Sequence, residues 1–132
     1  MRQNKRVTFG KPLSVLVIED NNVDRRILES MLTESSQPSA FLKIAETLAS
    51  ANQFLQQHPF DVMVLDLNLP DSKGLDTLIQ MHQRYPAIPI VVNTGAYEDD
   101  LGLTTLSCGA QDFLVKGKYT SDTLKKVLHY AI

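Results

Sequence analysis

The runs "LSVLVI" (13–18) and "DVMVL" (61–65) constrain the fold most. Both are rich in Val, Leu, Ile and Met and show no strict alternation of apolar and polar residues. A strand with one wet face alternates, so a run without alternation is expected where both faces are covered. "IPIVVNT" (88–94) is of the same kind and is introduced by Pro86 and Pro89, while "FLKIA" (41–45) and "DFLV" (112–115) are shorter examples. Between these runs lie apolar stripes at helical spacing. Val23, Ile27 and Met31 line up with Leu28 and Leu32; Leu48, Ala51 and Leu55 form a second stripe. Leu75, Leu78, Ile79 and His82 form a third, and Leu124, Val127, Leu128 and Ala131 the cleanest. The segment 98–108 carries a weaker stripe of Leu101, Thr105 and Cys108. Asn21 or Asn22 is placed to cap the first helix, and Thr120 or Ser121 the last. The stretches "HPF" and "YPAIP" end helices, because proline disfavours helix in the residue before it. Strand and helix thus alternate five times. That order predicts a parallel sheet with right-handed crossovers and helices on both faces.

Composition narrows the function. The 132 residues fit one domain, with 43% apolar and 21% charged residues, an ordinary globular balance. A net charge of −2 supplies no basic field for nucleic acid or an anionic membrane. No apolar run approaches the roughly 20 residues that span a bilayer. The single cysteine, Cys108, excludes an internal disulfide framework and reads as buried packing. The basic start "MRQNKRVTFGK" lacks the apolar stretch of a signal peptide. These features lead us to expect a cytoplasmic protein with a loosely ordered leader at 1–11 and one domain over 12–132. The last helical stripe still runs at Ile132, as in a module cut from a longer protein.

In open α/β sheets, sites form beyond the carboxyl ends of the strands. After the first strand come Glu19 and Asp20, after the third Asp66, after the fourth Thr94, and after the fifth Lys116. An acid after one strand is ordinarily a helix cap or a solvated loop residue, and Thr94 or Lys116 alone would carry no signal. Together they place three acids, a hydroxyl and a lysine on one rim. Clustered carboxylates in a tight pocket need a counter-charge. A hard dication such as Mg²⁺ supplies it, using one or two carboxylates plus water and phosphate oxygens. Lys116 and Thr94 suit the remaining oxygens of a phosphoryl group, and the central Asp66 suits a nucleophile.

The stretches "VLVIEDN", "DVMVLDLNLPDSKGLD", "IPIVVNTGA" and "GAQDFLVKG" resemble the receiver domains of bacterial two-component response regulators, over about residues 13 to 131. The resemblance implies a flavodoxin-like, doubly wound sheet of five parallel strands in the order 2-1-3-4-5 with five helices. Asp66 is then the phosphoacceptor. Glu19 and Asp20 are the acidic pair that holds Mg²⁺, joined by Asp66 and the backbone carbonyl of Asn68. Thr94 and Lys116 contact the phosphoryl group, and Thr94 with Phe113, expected at the ends of adjacent strands in that order, forms the switch. Pro70 and Gly74 shape the loop after the third strand. The implied donor is the phosphohistidine of a histidine kinase or phosphotransfer protein. Further implied partners are an output domain beyond Ile132 and a second copy through the face of the fourth helix and fifth strand. Such a domain assists its own phosphorylation and dephosphorylation but turns over no metabolite.

Three positions depart from that pattern. Gly117 stands where proline follows the lysine, which predicts a trans bond and a looser loop. Gly95 stands where alanine is common. Asn93 is polar where an apolar strand residue is expected. Rival readings share the fold. A Mg²⁺-dependent aspartyl-phosphate phosphohydrolase would carry an acid at position 68, which is Asn68 here. A flavin module would need a Ser/Thr/Gly-rich loop where Glu19 and Asp20 stand. A degenerate receiver, acting only by interaction, would lack part of the acidic set. His58, His82 and His129 are expected to be surface or helix-face residues.

Overall fold

The computed structural model describes residues 13–33, 40–95 and 101–132. The strand and helix runs become β1 (Leu13–Ile18), α1 (Asn22–Thr33), β2 (Ala40–Ala45), α2 (Leu48–Gln57) and β3 (Val62–Leu65). A two-residue ladder follows, β4 (Asn68–Leu69) with β5 (Ser72–Lys73), then α3 (Leu75–Arg84), β6 (Ile90–Thr94), α4 (Leu101–Ser107), β7 (Asp112–Val115) and α5 (Ser121–Ala131). The main sheet runs β2-β1-β3-β6-β7 with every pair parallel. Counting only its five strands, this is the expected 2-1-3-4-5 order. The small β4–β5 ladder is antiparallel and was not expected, because two residues per strand leave no periodicity to read. The leader at 1–11 and the start of the 98–108 segment lie outside the described residues.

The unbroken apolar runs do face both ways. Leu16, Ile18, Met63, Leu65, Ile90 and Val92 point to one face, where Leu48 and Ala51 of α2 and Leu78 and Met81 of α3 cover them. Val15, Val17, Val62, Val64 and Val91 point to the other, under Leu28 and Leu32 of α1 and Leu124 and Leu128 of α5. Alternate residues of one strand thus serve two cores, as the period of a strand dictates. Apart from Ser14 near its start, β1 gives both faces apolar side chains only, as β3 does, which leaves the strand tips as the place where polar groups collect.

The helix ends are fixed by side chains. Asn21 accepts the Asp24 N–H at 2.9 Å, so Asn21 caps α1. Thr120 accepts the Thr123 N–H at 3.2 Å and caps α5. Thr47 and Ser50 form a capping box at α2. The Asp71 carboxylate adds two more acceptors to α2, taking the N–H groups of Leu48 and Ala49 at 3.0 and 3.1 Å. That ties the loop after β3 to the helix after β2. Gly74, at φ +70°, turns this loop into α3 and donates its N–H to the Leu67 carbonyl at 2.8 Å.

Candidate functional site: an acidic rim with one lysine

The sheet ladder continues one step past the strand ends and thereby places the polar residues. The Glu19 N–H donates to the Ala45 carbonyl at 2.9 Å, the Asp66 N–H to the Ile18 carbonyl at 3.0 Å, and the Lys116 N–H to the Thr94 carbonyl at 2.9 Å. Glu19, Asp66 and Lys116 are therefore each held by their backbone against the neighbouring strand. Glu19 and Asp66 are buried, 1% and 6% exposed, and Asp20 points outward to solvent. Asp20, Asn21, Asp24, Asp66, Asn68, Gly95 and Lys116 line one open depression at this rim.

Lys116 occupies the centre. Its Nζ lies 2.8 Å from Glu19 Oε1, 2.8 Å from Asp24 Oδ2 and 3.2 Å from Asp66 Oδ2. The Asp24 and Asp66 contacts are hydrogen bonds. The Glu19 contact is an ion pair without hydrogen-bond geometry, so Glu19 Oε1 is buried with no hydrogen-bond partner. The other Glu19 oxygen accepts the Asn21 N–H at 3.1 Å. Asp66 Oδ1 accepts the Asn68 N–H at 3.2 Å. Burial pushes the Glu19 carboxyl up to about 7, and nearby Asp66 adds to this against the pull of Lys116. Burial alone would lower the Lys116 ammonium, but Asp24, Glu19 and Asp66 outweigh it and hold the lysine above its ordinary range.

The donor set fits a metal ion. Glu19, Asp20 and Asp66 each offer an oxygen, and these oxygens lie within 4.8 Å of one another. Glu19 Oε1 is the informative atom: it is buried with no hydrogen bond, and the ammonium 2.8 Å away is shared with Asp24 and Asp66, so a further cation would offset its burial. All three donors are hard oxygens, the ligand type of Mg²⁺ and Mn²⁺ rather than of soft metals.

The remaining expected residues sit at two distances from this cluster. Thr94 ends β6 and is buried at 1% exposure. Asn68 contributes its backbone in the β4–β5 ladder, while its side chain is exposed. Phe113 is away from the rim: it pairs with Val92 in the register, and Thr94 pairs with Val115. Thr94 and Phe113 were expected at adjacent strand ends; instead Phe113 lies near the start of β7, on the same sheet face two register steps back. Its ring packs on the α4 backbone at Gly102, where an added Cβ would come within 2.9 Å of it.

Several other expectations are refined. Asn93 is buried because it has a partner: the Tyr119 hydroxyl donates to its Oδ1 at 2.9 Å. The bond after Lys116 is trans, with Gly117 at φ +79°. Its turn is closed rather than loose, since the Lys118 N–H donates to the Val115 carbonyl at 3.0 Å. A Cβ at Gly95 would meet only Lys116 Cδ at 3.9 Å, so alanine fits there. Cys108 is partly exposed rather than buried, because it packs at the margin of the core. His58 and His129 are exposed, and His82 is half-buried against Gly109.

The family model for the response regulator receiver domain matches residues 15–129. The chain is a response regulator receiver domain. Among curated proteins it is 32% identical to the response regulator protein PilR of Pseudomonas aeruginosa over 101 residues, covering 76% of this chain and 22% of PilR. The chain spans about half or less of the curated relatives it matches first. Among solved structures it resembles the Mn²⁺-bound form of response regulator Rcp1, at 28% identity and a TM-score of 0.69, covering 89% of this chain and 90% of that one. It also resembles the beryllofluoride-activated NtrC4 receiver domain dimer, at 25% identity and a TM-score of 0.77, covering 89% and 94%. No described helix of this receiver is long and apolar enough to cross a membrane.

One member of the receiver's rim was not foreseen. Asp24 lies in the first turn of α1, where an acid reads as a complement to the helix dipole. Its bond to Lys116 joins residues 92 positions apart and has no local signal.

The raised Glu19 group makes stability depend on pH when no divalent cation is bound. Its carboxyl holds a proton more tightly folded than unfolded. Its contribution is therefore complete below 4.5 and is lost as pH rises through about 7. In EDTA, the melting temperature is expected to fall from about pH 5 to about pH 8. Glu19→Gln, which cannot ionise, is expected to flatten that fall. Parallel curves for the two proteins would contradict the burial of a charged Glu19.

Proposed function

We propose that this receiver takes a phosphoryl group onto Asp66 from the phosphohistidine of a histidine kinase or phosphotransfer protein. The observation that supports this best is Lys116 held between Glu19 and Asp66 beside the three-carboxylate cluster. Asp66 is the acid at the middle strand of the sheet, backed by the Ile18 carbonyl and open to the rim. A carboxylate oxygen of Asp66 attacks phosphorus, the phosphorus–nitrogen bond breaks, and its electron pair stays on the histidine ring. Water later attacks the phosphorus of the acyl phosphate, the bond to the Asp66 oxygen breaks, and inorganic phosphate leaves with the carboxylate restored. Glu19, Asp20, Asp66 and the Asn68 backbone carbonyl would hold Mg²⁺, which when bound would supply positive charge against the phosphoryl oxygens. Thr94 and Lys116 bind phosphoryl oxygens. The domain works on itself alone, in the cytoplasm. Its partners are the kinase or phosphotransfer protein, an output domain outside this sequence, and a second copy through the α4–β7 face.

Acetyl phosphate with Mg²⁺ is expected to add one phosphoryl group to the chain, seen by mass spectrometry. Asp66→Asn is expected to take none. Equal labelling of the variant would place the phosphoacceptor elsewhere.

The switch reading follows from packing. Thr94 and Phe113 share one face of the sheet, and the Phe113 ring already touches α4 at Gly102. If Thr94 moves toward a phosphoryl oxygen, close packing draws the ring after it and reshapes α4. Beryllofluoride, a phosphoryl mimic, is expected to shift amide resonances across residues 101 to 116. In Thr94→Ala those remote shifts are expected to shrink while the ligand still binds. Shifts confined to the neighbours of Asp66 in the wild type would rule the switch out.

A further inference from the structure

Asp24 stands outside the stretches that carry the resemblance to receivers, yet it makes the shorter hydrogen bond from Lys116: 2.8 Å to Asp24 Oδ2 against 3.2 Å to Asp66 Oδ2. Glu19 Oε1 also lies 2.8 Å from the ammonium, but Glu19 belongs to the three-carboxylate cluster with Asp20 and Asp66, and Asp24 does not. Asp24 is itself well held. Asn21 accepts its N–H at 2.9 Å, Leu28 and Leu32 anchor the same helix in the core, and Arg25 ties it to Glu46 at 2.6 Å. The Thr94 carbonyl and the closed turn at Gly117 fix the lysine's backbone, but they do not aim an ammonium at the end of a flexible four-carbon stem.

We propose that Asp24 is a positioning residue for Lys116. It fixes one N–H of the ammonium, which aims another at the Asp66 carboxylate before transfer and at the phosphoryl oxygens after it. The proposal rests on Asp66 as the phosphoacceptor. An ammonium carries three rotatable donors on a flexible four-carbon stem, so it is aimed only by the acceptors around it. Phosphorylation of Asp66 to the acyl phosphate changes one of those acceptors, while Asp24, on α1 and outside the three-carboxylate cluster, stays as it was.

The test compares the full chain with Asp24→Ala and Asp24→Asn. The first readout is hydrogen exchange of the Lys116 ammonium by ¹⁵N–¹H NMR. The second is affinity for beryllofluoride in Mg²⁺, and thermal melts accompany both. Loss of the anchor is expected to speed Lys116 exchange and weaken beryllofluoride binding about fivefold in Asp24→Ala. Asp24→Asn keeps a neutral acceptor and is expected to recover part of both. The sign of the affinity change is decisive. Removing a negative charge beside an anion site would by itself tighten binding, so tighter or unchanged binding overturns the proposal. So does unchanged Lys116 exchange, even with a lowered melting temperature, because that would leave Asp24 a merely structural role. If the alanine variant does not fold, the asparagine variant decides by the same readouts. A wild type that binds no beryllofluoride defeats the phosphoacceptor reading instead, and Lys116 exchange still decides whether Asp24 anchors the lysine.

Discussion

The structure depends on a charge that is not balanced. At the open end of the sheet one ammonium, Lys116, stands against Glu19, Asp24 and Asp66, with Asp20 close by. Taking even one carboxylate out of water costs several kcal/mol unless it is paired and hydrogen-bonded. Lys116 cannot serve all of them, and Glu19 Oε1 is left buried without a hydrogen bond. The Glu19 carboxyl, pushed up first by its burial and further by Asp66, is one expression of this deficit. A divalent cation would be the other way to relieve it, and a phosphoryl group brought in with that cation would find Lys116 already in place. A site kept short of positive charge is one that responds to a ligand carrying it.

The fold makes that deficit possible. β1 and β3 are covered on both faces by apolar side chains, so the interior has no room for the acids. The ladder then carries Glu19, Asp66 and Lys116 one residue past the strands, each fixed by a backbone hydrogen bond to its neighbour. The order β2-β1-β3-β6-β7 places β1 beside β3, which brings residues distant in sequence to one rim. α1 closes the rim from the side through Asp24, and Asp71 ties the loop after β3 to α2. The rigid parts of the domain thus position the acids, while Phe113 on the outer strand links β7 to α4.

Much of this was legible in the residues because each strand carries its own signal. Runs without alternation, such as "VLVI" and "VMVL", mark buried parallel strands, and the first polar residue after each run marks the rim. What was not legible depends on tertiary proximity. Asp24 looks like a helix-dipole acid until the fold brings it to Lys116. Asn93 looks misplaced until Tyr119 arrives from beyond β7 to donate to it. Asp71 reads as a turn residue, yet it caps a helix 22 positions earlier in the chain. The β4–β5 ladder is too short for any periodicity. Phe113 was placed correctly in its strand but not in its register with Thr94, because pairing depends on the partner strand as well as on the run itself.

The central claim is that the rim acids are there to be neutralised by a divalent cation. Calorimetric titration of Mg²⁺ into the wild type, Asp20→Ala and Glu19→Ala tests it most directly. The account predicts binding in the wild type and a loss of at least about tenfold in Asp20→Ala, about 1.4 kcal/mol, with a smaller loss in Glu19→Ala. Unchanged Mg²⁺ affinity in both variants would contradict it.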